Sequence, residues 1–200
     1  MITAELQSLL QSGDAQQLDL LITLAEVPAS CEEKISLWRS AFEVAHRWYL
    51  EYWTEGLSVA ENLHKLDVCV EPLSPLNNLC YRARALYDPA RAVIQISEEA
   101  LSEMEAVQSA LGVSLFTREQ LRDRLLAHEL FHHIEETKEA PLTDCLRKGE
   151  KPVPAAFRDV GAYAFCNGIF PYPICQKIDL LWMLEKAPKR LSENLRQIRL

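Results

Sequence analysis

The run Leu126-Ala127-His128-Glu129-Leu130-Phe131-His132-His133-Ile134-Glu135 carries the residue types most able to do chemistry. It contains H-E-x-x-H, and three of the chain's five histidines lie in it. On a helix, residues i and i+4 share one face, so the imidazoles of His128 and His132 can reach a single metal ion. Imidazole nitrogens at that spacing suit zinc. Glu129 lies beside the same face, where a carboxylate can take a proton from a water that the metal has acidified. His133 sits about 100° further round the helix. It is expected to be a supporting or surface residue with no catalytic role.

A catalytic zinc takes three protein ligands and keeps one position open. The downstream candidates for the third ligand are Glu135, Glu136, Glu139, Asp144, Cys145, Glu150 and Asp159. Glu135 is on roughly the right face, but one turn beyond a metal centred between the histidines. No glycine follows His132 to turn the chain, so the longer H-E-x-x-H-x-x-G-x-x-H arrangement is absent. A ligand from a second helix fits better. Asp159 stands near the start of the apolar run Phe157-Arg158-Asp159-Val160-Gly161-Ala162-Tyr163-Ala164-Phe165.

The helix carrying His128 has a clear start signal. Thr117 followed by Gln120 forms a capping box, with Phe116 and Leu121 at the staple positions, which predicts a helix from Arg118 to about Glu136. Upstream, residues 1 to 62 read as helical. Asp14 caps one helix, and Trp38, Phe42, Ala45, Tyr49 and Tyr52 mark the packed face of another from Glu32 to Thr54. Three strands follow: Leu66 to Glu71, Leu79 to Tyr87, and Ala92 to Ser97. Residues 98 to 110 read as a helix. Residues 138 to 154, with three prolines and many charges, read as a long mobile loop bordering the site. Helices are expected again over 155–168 and 175–186, with a short amphipathic tail after them.

The net charge of −8 argues against nucleic acid as a partner, since phosphate binding needs a basic face. No apolar run is long enough to span a membrane, and the first residues lack a basic segment followed by an apolar one. The six cysteines form no C-x-x-C pair, so a zinc ribbon is not expected and reduced thiols in the cytoplasm are.

The metal helix, then Asp159-x-x-Ala162-x-x-Phe165-Cys166 and Ile169-Phe170-Pro171, resembles the ImmA/IrrE-like family of cytoplasmic zinc metallopeptidases. The likeness covers roughly residues 66 to 175. It implies a zincin-like fold with a small curved sheet, and the chain as a whole reads as an α+β zincin-like domain over residues 63–200 behind a helical extension over 1–62. It implies zinc on His128, His132 and Asp159, Glu129 as general base, and a protein or peptide substrate drawn from a narrow set. Ala92 to Ser97 would be the edge strand that binds extended peptide. The family has glutamate where this chain has Asp159, one methylene shorter. Tyr163, four residues on, shares a helical face with Asp159, and its hydroxyl is a candidate donor to an oxyanion. The rival expectations are a zincin scaffold that binds zinc without turnover, and a helical interaction protein with no metal.

Overall fold

Gly56 and Gly112 adopt left-handed φ angles of +83° and +68°, and each lies shortly beyond the end of a helix. A computed structural model describes residues 4–11, 14–73, 84–138, 140–147, 152–170 and 173–198 of the chain. Over these residues the protein is mixed α+β, mostly helical with one small sheet. Two compact units form, one of residues 47–141 and one of residues 1–46 with 142–200. Helix α3 (Cys31–Tyr52) begins in the second and ends in the first.

The unit of residues 47–141 contains α4 (Val59–Lys65), β1 (Cys69–Pro72), β2 (Ala85–Asp88), β3 (Val93–Ile96), α5 (Glu98–Ala110) and α6 (Arg118–Thr137). The strand order is β1-β3-β2, with β1 parallel and β2 antiparallel to β3. All four residues of β3 are buried. This corrects one expectation: the strand within Ala92 to Ser97 is central, and β1 and β2 are the edges among the described residues. A strand with hydrogen-bonded neighbours on both sides has no backbone left for a peptide. The second strand keeps only the end of its expected span, and residues 79–83 lie outside the described ones.

Local chemistry delivers the chain into α6. Ser97 caps α5 by accepting from the Ala100 N–H at 3.1 Å. After α5, the Val113 N–H donates to the Gln108 carbonyl, with Gly112 in the left-handed conformation between them. The buried Gln108 side chain accepts from the Leu115 and Phe116 N–H groups and donates to the Phe116 carbonyl. The next residue, Thr117, opens α6 with both arms of the capping box in place. Phe116 and Leu121 are both buried. Helix α6 packs on α4, α5, β2 and β3, and Phe131 stacks against Trp48 at 5.4 Å.

The other unit holds α1 (Ala4–Gln11), α2 (Ala15–Ile22), α7 (Leu142–Cys145), α8 (Ala156–Ile169), α9 (Ile174–Lys186) and α10 (Pro188–Ile198). Asp14 caps α2, accepting from the Gln17 N–H at 3.0 Å. Leu9, Leu18, Leu21, Leu180, Met183 and Leu191 form one buried cluster. Asn194 donates to the Leu21 carbonyl at 2.8 Å, which fastens α10 to α2. The segment expected to be a featureless loop contains α7, and Leu142 and Leu146 are buried at 0% and 2% exposure. Those apolar anchors were hidden among prolines and charges. Residues 139 and 148–151 of that segment lie outside the described ones. Among the described residues no helix is long and apolar enough to cross a membrane.

Candidate metal centre

Helix α6 carries His128 and His132 half-buried on one face. Their Nε2 atoms lie 3.3 Å apart and their rings meet edge-to-face at 73°. Ligands about 2.05 Å from a tetrahedral zinc stand about 3.3 Å from one another, so the separation suits two nitrogens on one ion. His128, His132 and Asp159 form a group that could hold a metal ion: one ligand atom from each lies within 4.8 Å of the others. Two neutral nitrogens and one carboxylate oxygen match the donor set of a catalytic zinc site.

His132 is held on two further sides. Its Nδ1 lies 3.4 Å from Glu135 Oε2, and the Glu135 side chain is fully buried. Its ring also packs edge-to-face on Phe131, with centroids 5.5 Å apart. The second nitrogen thus faces a carboxylate, the contact that fixes tautomer and ring orientation in histidine metal ligands. This role for Glu135 differs from direct ligation. Its i+3 spacing from His132 was the available signal for this different role.

Glu129 is oriented by the sheet. Its Oε2 accepts from the Tyr87 N–H at 3.0 Å. The register explains why that N–H is available. The Ser97 N–H donates to the Arg84 carbonyl, and in an antiparallel ladder hydrogen-bonded pairs alternate with unbonded ones. The pairs Leu86–Gln95 and Asp88–Val93 therefore face inward, while Ala85 and Tyr87 turn their backbone groups outward from β2. His133 is buried rather than on the surface, and its Nδ1 lies 2.8 Å from the Tyr87 hydroxyl. Burial pulls its pKa below the ordinary histidine value. Neither this pairing nor the role of Tyr87 was legible from sequence, because both depend on which strand lies against α6.

Tyr163 is buried on α8, and its hydroxyl donates to Asp179 Oδ2 at 2.7 Å. Donation to an oxyanion would require exchange of that bond. Of the other third-ligand candidates, Glu136 and Asp144 are not in the metal group, and Glu139 and Glu150 lie outside the described residues. No family model matches the chain, and neither a curated protein nor a solved structure does.

Proposed function

We propose that the protein is a zinc-dependent peptidase of the zincin type, acting in the cytoplasm on extended segments of a narrow set of proteins. The observation that carries this reading is the His128–His132–Asp159 group, with Glu129 next to it on the same helix. Zinc, when bound, supplies the Lewis acidity that makes water easier to deprotonate and a carbonyl easier to attack. His128, His132 and Asp159 would hold it. Glu129 takes the proton of the attacking water and passes it to the leaving amine. Its Oε2 is fixed by the Tyr87 N–H, which leaves Oε1 for that transfer. Recognition of an extended peptide would fall to an edge strand of this sheet rather than to β3, which is paired on both sides.

Elemental analysis of protein purified under reducing conditions is expected to give about one zinc per chain, lost in His132→Ala. Asp159→Ala should weaken zinc by at least ~10-fold, or ~1.4 kcal/mol. Glu129→Gln should keep the metal and the fold and lose cleavage, because the amide cannot accept the proton. The engagement of Tyr163 with Asp179 favours a second reading, a zinc-binding scaffold without turnover. Zinc bound at full stoichiometry, with the protein's cellular effect intact in Glu129→Gln, would select that reading. Absence of metal after zinc is supplied would remove both.

A further inference from the structure

Glu129 and His133 are four residues apart on α6 and share the face that meets β2. Both close on one residue of that strand. Glu129 accepts the Tyr87 N–H at 3.0 Å. His133 shares a hydrogen with the Tyr87 hydroxyl at 2.8 Å, and the two rings meet edge-to-face at 81° with centroids 5.3 Å apart. The imidazole is 9% exposed. The hydrogen bond lies in a place where an unsatisfied polar atom would cost free energy.

This arrangement answers a mechanical problem. The terminal torsion of a glutamate side chain is broad, so a carboxylate is poorly oriented unless a donor fixes one oxygen. Here the donor is a backbone amide on a strand of four residues that is an edge among the described residues. Such a strand has ladder bonds on one side only, so its outward amides are held less firmly than those of a central strand. A side chain anchored to the same helix as the carboxylate removes that slack. We infer that His133 and the Tyr87 hydroxyl form a positioning pair, which holds the strand so that the Tyr87 N–H orients Glu129. The inference rests on the reading of Glu129 as general base. The pair itself touches neither metal nor substrate.

The test uses 15N-labelled full-length protein and reads the backbone amide proton at position 87. In the wild type this proton lies at low field, because its acceptor is a carboxylate, and Glu129→Gln moves it upfield. Tyr87→Phe moves it upfield by at least half as much. His133→Gln, whose amide can still meet the hydroxyl, stays near the wild type. Zinc stoichiometry of Tyr87→Phe equals that of the wild type. On a peptide from a random-sequence library that the wild type cleaves, Tyr87→Phe lowers kcat about 10-fold and leaves KM within about twofold, as expected for misplacement of a base. If Tyr87→Phe leaves the amide at its wild-type position, or if Glu129→Gln does not move it, the positioning pair is overturned. Should a single variant fail to fold, Tyr87→Phe with His133→Leu leaves no orphaned polar partner and is read in the same way. If the wild type cleaves nothing in the library, the peptidase reading loses support, while the amide shifts still decide the positioning pair.

Discussion

Around His132, the ring that could hold a metal and the carboxylate behind it are three positions apart. The ring offers Nε2 to the metal group and Nδ1 to Glu135 Oε2 at 3.4 Å. Such supporting carboxylates typically change metal affinity 10- to 100-fold when removed. Glu135→Ala is therefore expected to weaken zinc by about 10-fold, and Glu135→Gln by less, because the amide oxygen still accepts from Nδ1–H. A competition titration against a chromogenic chelator measures both. Equal affinity in wild type and Glu135→Ala would show that Phe131 packing alone orients the ring. At this scale the sequence was legible where helical geometry alone decides. The spacing of His128 and His132 needs only 3.6 residues per turn. Burial of Glu135 and the engagement of Tyr87 depend on neighbours that no local pattern encodes.

Helix α6 is the element whose sequence spoke most plainly, because its start is written in short-range chemistry. The Thr117 side chain accepts from the Gln120 N–H at 3.2 Å, and the Gln120 side chain accepts from the Thr117 N–H at 2.9 Å. Thr117→Ala should lower unfolding free energy by about 1 kcal/mol. Zinc affinity should stay within about twofold, since His128 lies about three turns further along the helix. A urea melt and a zinc titration on one preparation separate the two quantities. A large loss of zinc affinity with stability unchanged would mean that the cap governs the site and not the helix. The strands were less legible. β1 and β3 were legible as strands, yet local pattern could not show that β3 lies between β1 and β2, because pairing order is set by long-range contacts. The segment after α6 was misjudged for a related reason. Leu142 and Leu146 stand scattered among charges and prolines, but both are buried. Leu142→Ala should cost about 2 kcal/mol or more of stability, as expected for a fully buried leucine.

Across the molecule, charged residues stay near water with few exceptions, and Asp19 is the clearest one. It sits on α2 at 1% exposure, inside the unit of residues 1–46 and 142–200. Its position beside Leu18, Leu20 and Leu21 gave no sign of this, since aspartate is rarely buried. Oδ2 accepts from Trp38 Nε1 at 2.7 Å and from Gln176 Nε2 at 3.4 Å, while Oδ1 has no hydrogen-bond partner among the described residues. Burial pushes the Asp19 pKa from 3.8 up to about 8; the two hydrogen bonds oppose the rise, and Cys175 and Asp179 add to it. The direction of its effect on stability follows from proton counting. Between pH 3.8 and about 8 the folded chain keeps a proton on Asp19 that the unfolded chain has released. Stability then falls as pH rises, because the unfolded state binds fewer protons. The contribution is fully present below the unfolded pKa and is lost as pH rises through the folded one. Asp19→Asn mimics the protonated carboxyl in shape and can still accept from Trp38. It is expected to be more stable than the wild type at pH 7 by at least about 1.4 kcal/mol, the equivalent of one pKa unit. Near pH 4 the advantage should shrink towards zero. Thermal unfolding of both proteins at pH 4, 5.5, 7 and 8 measures the difference at each point. Parallel curves for wild type and Asp19→Asn across that range would show that Asp19 is ionised in the folded protein, and would require a cation or water at Oδ1.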